Sequence, residues 1–161
     1  MAATDYFLKI DGIPGESKAD KHQDEIDLQS FSWGASQSGT FAEGGGGGAG
    51  KVAMHDFSFT MGTNKASPKI MLACARGDHI PQAVLTCRKA GKDQQEFMKV
   101  TMSDIMVSSF QTGGQGGDVI PTESISLNFA KIEYAYKEQQ KTGALGGYVK
   151  AFFDLKTVKG G

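Results

Sequence analysis

Four clusters of glycine divide this chain into segments that are rich in β-branched and aromatic residues. They lie at Gly44–Gly50, Gly113–Gly117, Gly143–Gly147 and the two C-terminal positions. Glycine accounts for 22 of the 161 residues, about twice its average share. Because glycine weakens the interior of helices and strands but suits turns, this spacing predicts strands joined by Gly-rich turns and loops.

Alternation of apolar and polar residues places the strands between these turns. Phe57, Phe59 and Met61 alternate with Ser58 and Thr60, which puts one face of that strand in a core. The predicted strands cover about 4–11, 24–34, 52–61, 82–90, 95–109, 122–137 and 147–157.

The strand predicted over 122–137 changes its apolar face partway along. Ile125 and Leu127 share one face, and the apolar positions then shift by one residue. A shift of one turns a strand over, so a bulge or sharp coil is predicted near Ala130–Lys131, and a similar disturbance near Ser103–Asp104. Long strands that switch faces predict a mainly β fold, a small β-barrel of two curled antiparallel sheets.

One segment predicts a short α-helix that flanks the barrel. Ser67 is the predicted N-cap and Gly77 the residue after the last turn. Ile70, Met71 and Cys74 recur at helical spacing and are predicted to face the barrel. At under three turns the helix depends on that packing for its stability.

Length and charge restrict the class of protein. The chain of 161 residues suits one domain, 1–161, and its net charge is −1 with both signs interspersed. This predicts neither a nucleic-acid surface nor a polybasic membrane anchor. The N-terminus lacks the apolar core of a cleaved secretory signal, which predicts synthesis in the cytoplasm. Cys74 and Cys87 are predicted to be reduced, buried thiols.

The longest glycine run resembles a phosphate-binding loop. Gly45 and Gly50-Lys51 have the spacing of that motif, but Val52 stands where a Ser or Thr hydroxyl would bind magnesium. The residues after Lys51 also predict a strand, whereas a phosphate loop needs a helix there. We therefore favour a structural glycine-rich loop.

Other catalytic and metal-binding patterns are incomplete. The stretch from Gly34 to Ser38 starts like a nucleophile elbow but has Ser at its fifth position. The sequence contains no HExxH and no CxxC, and its three histidines are scattered. No catalytic residue, metal or cofactor is predicted.

Two aromatic residues are candidates for contacts with another subunit. Trp33 ends a predicted strand, where it can either cap the core or anchor an interface. Phe41 is a large aromatic residue among small ones, with little core of its own to enter, so a neighbouring subunit is a plausible receptor.

Ten stretches in one order, over about 15–136, resemble the haemolysin-coregulated proteins (Hcp), the tube-forming proteins of bacterial type VI secretion systems. The segment after Glu138 matches less well. The stretches are GESK from Gly15, EIDL from Glu25, SWGASQSG from Ser32, GGGGGAGKV from Gly44, FSFT from Phe57, SPKIMLAC from Ser67, PQA from Pro81, RKAG from Arg88, VSSFQTGG from Val107 and SLNFAKI from Ser126.

The resemblance implies a structural protein rather than an enzyme. It implies homohexameric rings that stack into a tube within a contractile sheath, under a valine-glycine-repeat spike protein. It also implies export without a cleaved signal and effector proteins carried in the ring lumen. The alternatives are a monomeric nucleotide-binding enzyme that uses the glycine loop and a soluble ligand-binding β-barrel.

Two sets of site residues follow from the resemblance and the strand pattern. Ser58 and Thr60, opposite the core face of their strand, are predicted to face the lumen. The predicted subunit and ring contacts are Trp33, Ser36, Gln37, Phe41, Gly44, Gly45, Gly46, Gly47, Gly48, Gly50 and Lys51.

Overall fold

The computed structural model describes residues 3–39, 51–90, 95–139 and 145–161. These ranges contain one helix, α1 (Ser67–Arg76), and nine strands. The strands are β1 (Thr4–Ile10), β2 (Ile26–Leu28), β3 (Ser30–Gln37), β4 (Val52–Gly62), β5 (Ile80–Lys89), β6 (Glu96–Gly113), β7 (Thr122–Gln139), β8 (Leu145–Asp154) and β9 (Lys159–Gly160).

The nine strands of the described ranges form one antiparallel sheet. Its order is β2-β1-β5-β6-β7-β4-β3, with β8 also on β7 and β9 on β8. The end strands β2 and β3 do not pair with each other, so the sheet is not closed, although only Gln29 separates them along the chain. The predicted mainly β fold, with curled antiparallel strands and one short helix, is confirmed. The single strand predicted over 24–34 is wrong, because the chain there leaves β1 and joins β4 as two strands.

The long strands β6 and β7 divide the sheet into two layers. The first layer contains β3, β4 and the parts of β6 and β7 at 107–113 and 122–127. The second layer contains β2, β1, β5, β8 and the remaining parts of β6 and β7. Buried side chains of both layers form one core, which includes Leu8, Leu85, Val100, Met102, Phe57, Phe59, Met61, Ile125, Leu127 and Ile132.

The predicted change of face is confirmed, but it is not a bulge. Register runs without a shift from Ser103↔Lys131 to Ile105↔Phe129, with one residue between them on each strand. On β6 that residue, Asp104, has the left-handed φ of 54°. A single left-handed residue coils the pair sharply and exchanges its inner and outer faces. The register shift lies further along, between Val107 and Ser109.

Helix α1 closes one end of the core, with a different N-terminus from that predicted. Its N-cap is Ala66 rather than Ser67, and the Asn64 Oδ1 atom accepts a hydrogen bond from the Ala66 N–H at 2.9 Å. Ser67 is buried and donates its hydroxyl to buried Glu123 on β7. That bond ties the start of the helix to the sheet.

The inward face of α1 is also partly different from the prediction. Ile70 and Ala73 are buried, whereas Met71 is exposed and Cys74 is half-buried. Gly77 follows the helix with the left-handed φ of 66°, as its position predicted.

Candidate functional site

Two rows of short polar side chains cross the outward face of the first layer. Strand register places four residues side by side in each row, and none of the eight is charged. We call this surface the serine face. Its rows are Ser30, Thr60, Ser124 and Gln111, and Ser32, Ser58, Ser126 and Ser109.

Hydroxyl groups of the serine face bond to one another across strands. Ser30 Oγ lies 2.6 Å from Thr60 Oγ1, and Ser58 Oγ lies 3.0 Å from Ser126 Oγ. The residues line an open depression of about 660 Å³. The two rows are therefore polar, and all of their side chains except Gln111 are too short to reach far from the sheet.

The alternation of inward and outward side chains along each strand produces the serine face. Ser58 and Thr60 point outward because Phe57 and Phe59 occupy the core. On β6, the register shift leaves one additional residue, Ser108, exposed next to Ser109.

The additional residue Ser108 lies beside the serine face and forms a hydrogen bond with Asp56. Its hydroxyl donates to Asp56 Oδ2 at 2.6 Å, and Asn128 Nδ2 donates to Asp56 Oδ1 at 3.0 Å. The carboxylate at the border of the face is thus held by two neutral donors.

The sequence prediction found only part of the serine face. It named Ser58 and Thr60, and the structure places both in the two rows. The other six residues were missed, although serines at alternate positions of several predicted strands were a visible signal. The alternation gives the face within a strand, but the lateral order of strands β3, β4, β7 and β6 comes only from the structure.

Some of the predicted contact residues meet at the free end of the β3–β4 pair. Ser36 lies opposite Ala53, and exposed Lys51 immediately precedes β4. Gln37 lies opposite Val52. Phe41, Gly44, Gly45, Gly46, Gly47, Gly48 and Gly50 lie outside the described residues.

Trp33 occupies a different position from the other predicted contact residues. It is half-buried, packs against the core, and its ring centroid lies 5.5 Å from that of Tyr134 on β7. The structure therefore supports packing within the subunit for Trp33, and leaves part of its side chain exposed.

A second small core lies on the outward face of the second layer, and the sequence did not reveal it. Phe7 is only 2% exposed although it points away from the main core. The His22 ring stacks on it at 4.6 Å between centroids, and the Arg88 guanidinium lies 4.8 Å from its centroid.

Two carboxylates fix the imidazole of this second core. His22 Nδ1 lies 2.9 Å from Glu25 Oε2, and Nε2 lies 2.6 Å from Glu96 Oε1. Hydrogen bonds therefore hold both ring nitrogens of His22. We call His22, Phe7, Arg88, Glu25 and Glu96 the His22 cluster.

Three ionisable groups of the described residues have shifted pKa values. Burial raises the pKa of the Cys87 thiol to about 12. Burial, followed by the charge of Asp5, raises the pKa of Asp27. Lys156 and then His79, which both bond to its carboxylate, lower the pKa of Asp104. Cys74 and Cys87 are free thiols, and Cys74 is only half-buried rather than buried as predicted.

The described residues do not bring together the elements of a metal or nucleotide site. No group of three or more His, Cys, Asp or Glu residues in these ranges could hold a metal ion. Strand β4 follows Lys51 directly, as predicted, where a phosphate loop would need a helix. Within the same ranges no helix has the length and apolar character needed to cross a membrane.

Comparison with known proteins gives one family. The sequence profile described as "Type VI secretion system effector, Hcp" matches residues 7–136. Protein hcp1 of Pseudomonas aeruginosa is 47% identical over 156 residues, which cover 96% of this chain and 96% of that protein.

Solved structures agree with the sequence match. One titled "Structure of a type six secretion system protein" has a TM-score of 0.93 and 30% identity, covering 99% of this chain and 100% of that one. Hcp1 from Salmonella typhimurium has a TM-score of 0.81 and 34% identity, covering 99% of each chain. The chain belongs to the Hcp family, the secreted tube proteins of type VI secretion systems.

Proposed function

We propose that this chain is the ring subunit of a type VI secretion tube and that the serine face lines the lumen of a homohexameric ring. The observation that carries the proposal is the pair of polar rows across four neighbouring strands. A wall that passes different proteins needs a surface that neither binds one partner strongly nor repels others. Short, uncharged hydroxyl side chains that already bond to one another supply such a surface.

The remaining parts of the proposal rest on family membership. Rings stack into a tube inside a sheath, beneath a valine-glycine-repeat spike protein, and effector proteins occupy the lumen. The net charge of −1 supports stacking, because identical rings with a large charge would repel one another. The segment from Ser36 to Lys51 contributes contacts between subunits or rings.

The assembly state is the first test. Size-exclusion chromatography with light scattering is expected to give a mass near six chains, with rings visible in negative stain. A protein that remains a monomer at high concentration would contradict the ring. It would favour the soluble ligand-binding barrel instead.

Labelling of introduced cysteines tests the lumen assignment. Ser58→Cys on the serine face is compared with Gln82→Cys, an exposed position on β5 in the second layer. Both variants also carry Cys74→Ser. In assembled rings, a small maleimide is expected to label both positions, whereas a bulky polyethylene-glycol maleimide labels Gln82→Cys much faster than Ser58→Cys. Equal rates with the bulky reagent in intact rings would place the serine face outside.

We propose a structural and carrier role in place of an enzymatic one. The Hcp family supports this role, and the strand after Lys51 supports it further. Labelled ATP with magnesium is expected not to bind. Binding that Lys51→Ala abolishes would revive the nucleotide-binding enzyme.

Removal of part of the glycine run tests its role separately from folding. Deletion of Gly45–Gly48 is expected to leave the free energy of unfolding of the subunit nearly unchanged, because long surface loops contribute little to stability. Assembly into tubes is expected to weaken. Unfolding of the subunit would show instead that the run belongs to the core.

A further inference from the structure

The turn after β1 contains Asp11-Gly12, the one Asp-Gly pair of the sequence, which has no Asn-Gly pair. In such a pair the glycine nitrogen can attack the aspartate side chain and close a five-membered imide. Glycine favours this attack because it has no Cβ to crowd the nitrogen and restricts the backbone least. The imide reopens as aspartate or as isoaspartate, in which the main chain runs through the side-chain carbon atoms. The fold decides whether the two reacting groups can meet.

Two backbone hydrogen bonds fix the ends of this turn. The Asp11 N–H donates to the Gln82 carbonyl at 3.0 Å, and the Ile13 N–H donates to the Ile10 carbonyl at 3.0 Å. The second bond closes a four-residue turn with Gly12 at its third position, where φ is 79° and a glycine is favoured. Neither bond uses the peptide group between Asp11 and Gly12.

Both reacting groups of the pair are free. Among the hydrogen bonds and ion pairs of the described residues, none uses the Gly12 N–H or the Asp11 carboxylate. Both residues are exposed, and a Cβ placed on Gly12 would meet no atom within 4 Å. Because most backbone N–H groups of a folded protein are paired, a free one beside an exposed carboxylate is unusual. The nitrogen can therefore approach the carboxyl carbon without breaking a bond of the fold.

Asp24 shows how the fold protects another aspartate of the same region. It is also exposed, but Glu25 follows it. The Glu25 N–H donates to the His22 carbonyl at 3.3 Å, and the Glu25 carboxylate lies 2.9 Å from His22 Nδ1. Attack on Asp24 therefore needs a nitrogen that is already bonded and lies beside a fixed side chain.

We propose that Asp11 is a site of spontaneous isomerisation to isoaspartate. The Gly12 nitrogen attacks Cγ of the Asp11 carboxylic acid, a C–N bond forms, and the hydroxyl group leaves as water with the amide proton. Water then adds to one carbonyl carbon of the imide and breaks the bond from that carbon to nitrogen. Opening at Cγ restores aspartate, whereas opening at the main-chain carbonyl carbon gives isoaspartate. One water leaves and one enters, so the mass of the protein is unchanged.

The modification lengthens the main chain at a place where the neighbouring residues are packed. Isoaspartate adds one CH₂ group between Asp11 and Gly12. Ile13 is buried in the core, and Gly15 lies so close to the Glu25 backbone that it leaves no room for a Cβ. The longer turn is expected to displace Ile13 and weaken its bond to the Ile10 carbonyl, which lowers the free energy of unfolding.

Peptide mapping of the folded protein tests the site. Trypsin releases residues 10–18 as one peptide, in which Asp11 is the only aspartate. After incubation near neutral pH, this peptide is expected to split into two peaks of equal mass, whereas the peptide that contains Asp24 stays single. The new peak is expected to accept a methyl group from S-adenosylmethionine with an isoaspartyl methyltransferase. Incubation in heavy-oxygen water is expected to add one heavy oxygen to it.

Two variants test the chemistry in opposite directions. Asp11→Glu keeps the carboxylate but would need a six-membered ring, so its peptide is expected to stay single. Asp11→Asn forms the same imide by loss of ammonia, which leaves more readily than water from a carboxylic acid, and is expected to convert faster than the unmodified protein. A second peak of equal mass in Asp11→Glu would overturn the assignment.

The synthetic peptide 10–18 separates the effect of the fold from that of the sequence. Folded protein is expected to convert Asp11 about as fast as the peptide does, because the fold leaves both reacting groups free. Conversion of the peptide with none in the folded protein would overturn the inference, since the turn would then hold the groups apart. Conversion of Asp24 as fast as Asp11 would also overturn it.

Urea denaturation tests the effect on the turn. Incubation is expected to lower the urea midpoint of the unmodified protein and to leave that of Asp11→Glu unchanged. An unchanged midpoint in protein that has converted would overturn the displacement of Ile13. These measurements follow the single subunit in any state of assembly, so their outcome is independent of the proposed ring.

Discussion

The serine face and the His22 cluster lie on outward faces of the same sheet, yet they are built in opposite ways. The serine face has neutral polar side chains, which line an open depression. At the His22 cluster, the segment between β1 and β2 covers Phe7 and places the buried His22 ring between two carboxylates. Long strands β6 and β7 take part in both layers. A single sheet can thus keep one outer surface open for contacts and use the other for stability.

The two regions are therefore expected to respond differently to substitution. A change in the His22 cluster removes buried packing and hydrogen bonds to two carboxylates, which both carry large free energies. A change on the serine face removes at most one partly exposed hydrogen bond. Substitutions in the His22 cluster should lower the free energy of unfolding more than substitutions on the serine face. Substitutions on the serine face should affect assembly more than substitutions in the His22 cluster.

Phe7→Ala is expected to have the largest effect on stability. The ring is 2% exposed, and its loss removes the surface on which His22 and Arg88 lie. We expect a loss of about 3–5 kcal/mol in the free energy of unfolding, measured by urea denaturation. Lys9→Ala, at an exposed position of the same strand, is the matched control and should change it little. Equal effects would show that Phe7 has no special role.

His22→Gln is expected to have the next largest effect. A glutamine cannot stack on Phe7 and reach both carboxylates, so Glu25 and Glu96 would lose their common partner. The expected loss is about 2 kcal/mol. His79→Gln is the control, because its ring also bonds to a carboxylate, at 2.9 Å, but its side chain is 64% exposed. A similar loss in both variants would show that burial of His22 contributes nothing.

The sequence predicted the strands well because alternation is a local signal. It predicted the face switch near Ala130–Lys131 for the same reason, since the apolar positions slip within one strand. It could not predict the His22 cluster, because Glu96 lies 74 residues from His22 along the chain. In the segment between β1 and β2, Lys21 and Asp24 also adopt left-handed backbone conformations, which their residue types do not predict.

The helix shows a similar limit. Ser67 is a good N-cap by residue type, but the N-cap is Ala66, whose N–H donates to Asn64 Oδ1, and Ser67 turns inward to Glu123. The partner Glu123 lies 56 residues away, so no local pattern could assign the hydroxyl. Residue type predicted the end of α1 at Gly77 because a left-handed backbone favours glycine wherever it occurs.

Ser126→Ala should have a small effect on stability. It removes the hydroxyl that lies 3.0 Å from Ser58 Oγ, on a partly exposed face where water can replace it. The expected loss is about 0.5 kcal/mol in the free energy of unfolding. Ser38→Ala, at an exposed position outside any strand, is the control. A loss as large as that of His22→Gln would contradict the division into an open surface and a stabilising one.

Asp104→Asn is expected to have the smallest effect, and it depends on pH. Asp104 Oδ2 accepts from Lys156 Nζ at 3.0 Å and Oδ1 lies 2.9 Å from His79 Nε2, and these contacts lower the pKa of the carboxyl group. A group whose pKa is lower in the folded protein stabilises it above the unfolded value, about 3.9, and loses that contribution as the pH falls through the folded value. Asparagine keeps the left-handed backbone accessible, so the comparison isolates the charge. The urea midpoints of the unmodified protein and the Asp104→Asn variant should therefore differ slightly at pH 6 and converge as the pH falls toward 2.

The Lys156→Ala background is the control for this prediction. The difference in urea midpoint at pH 6 should shrink there, because the hydrogen bond from Lys156 to Asp104 is absent. A difference that stays constant with pH would show that the carboxylate charge does not hold the C-terminal turn against β6.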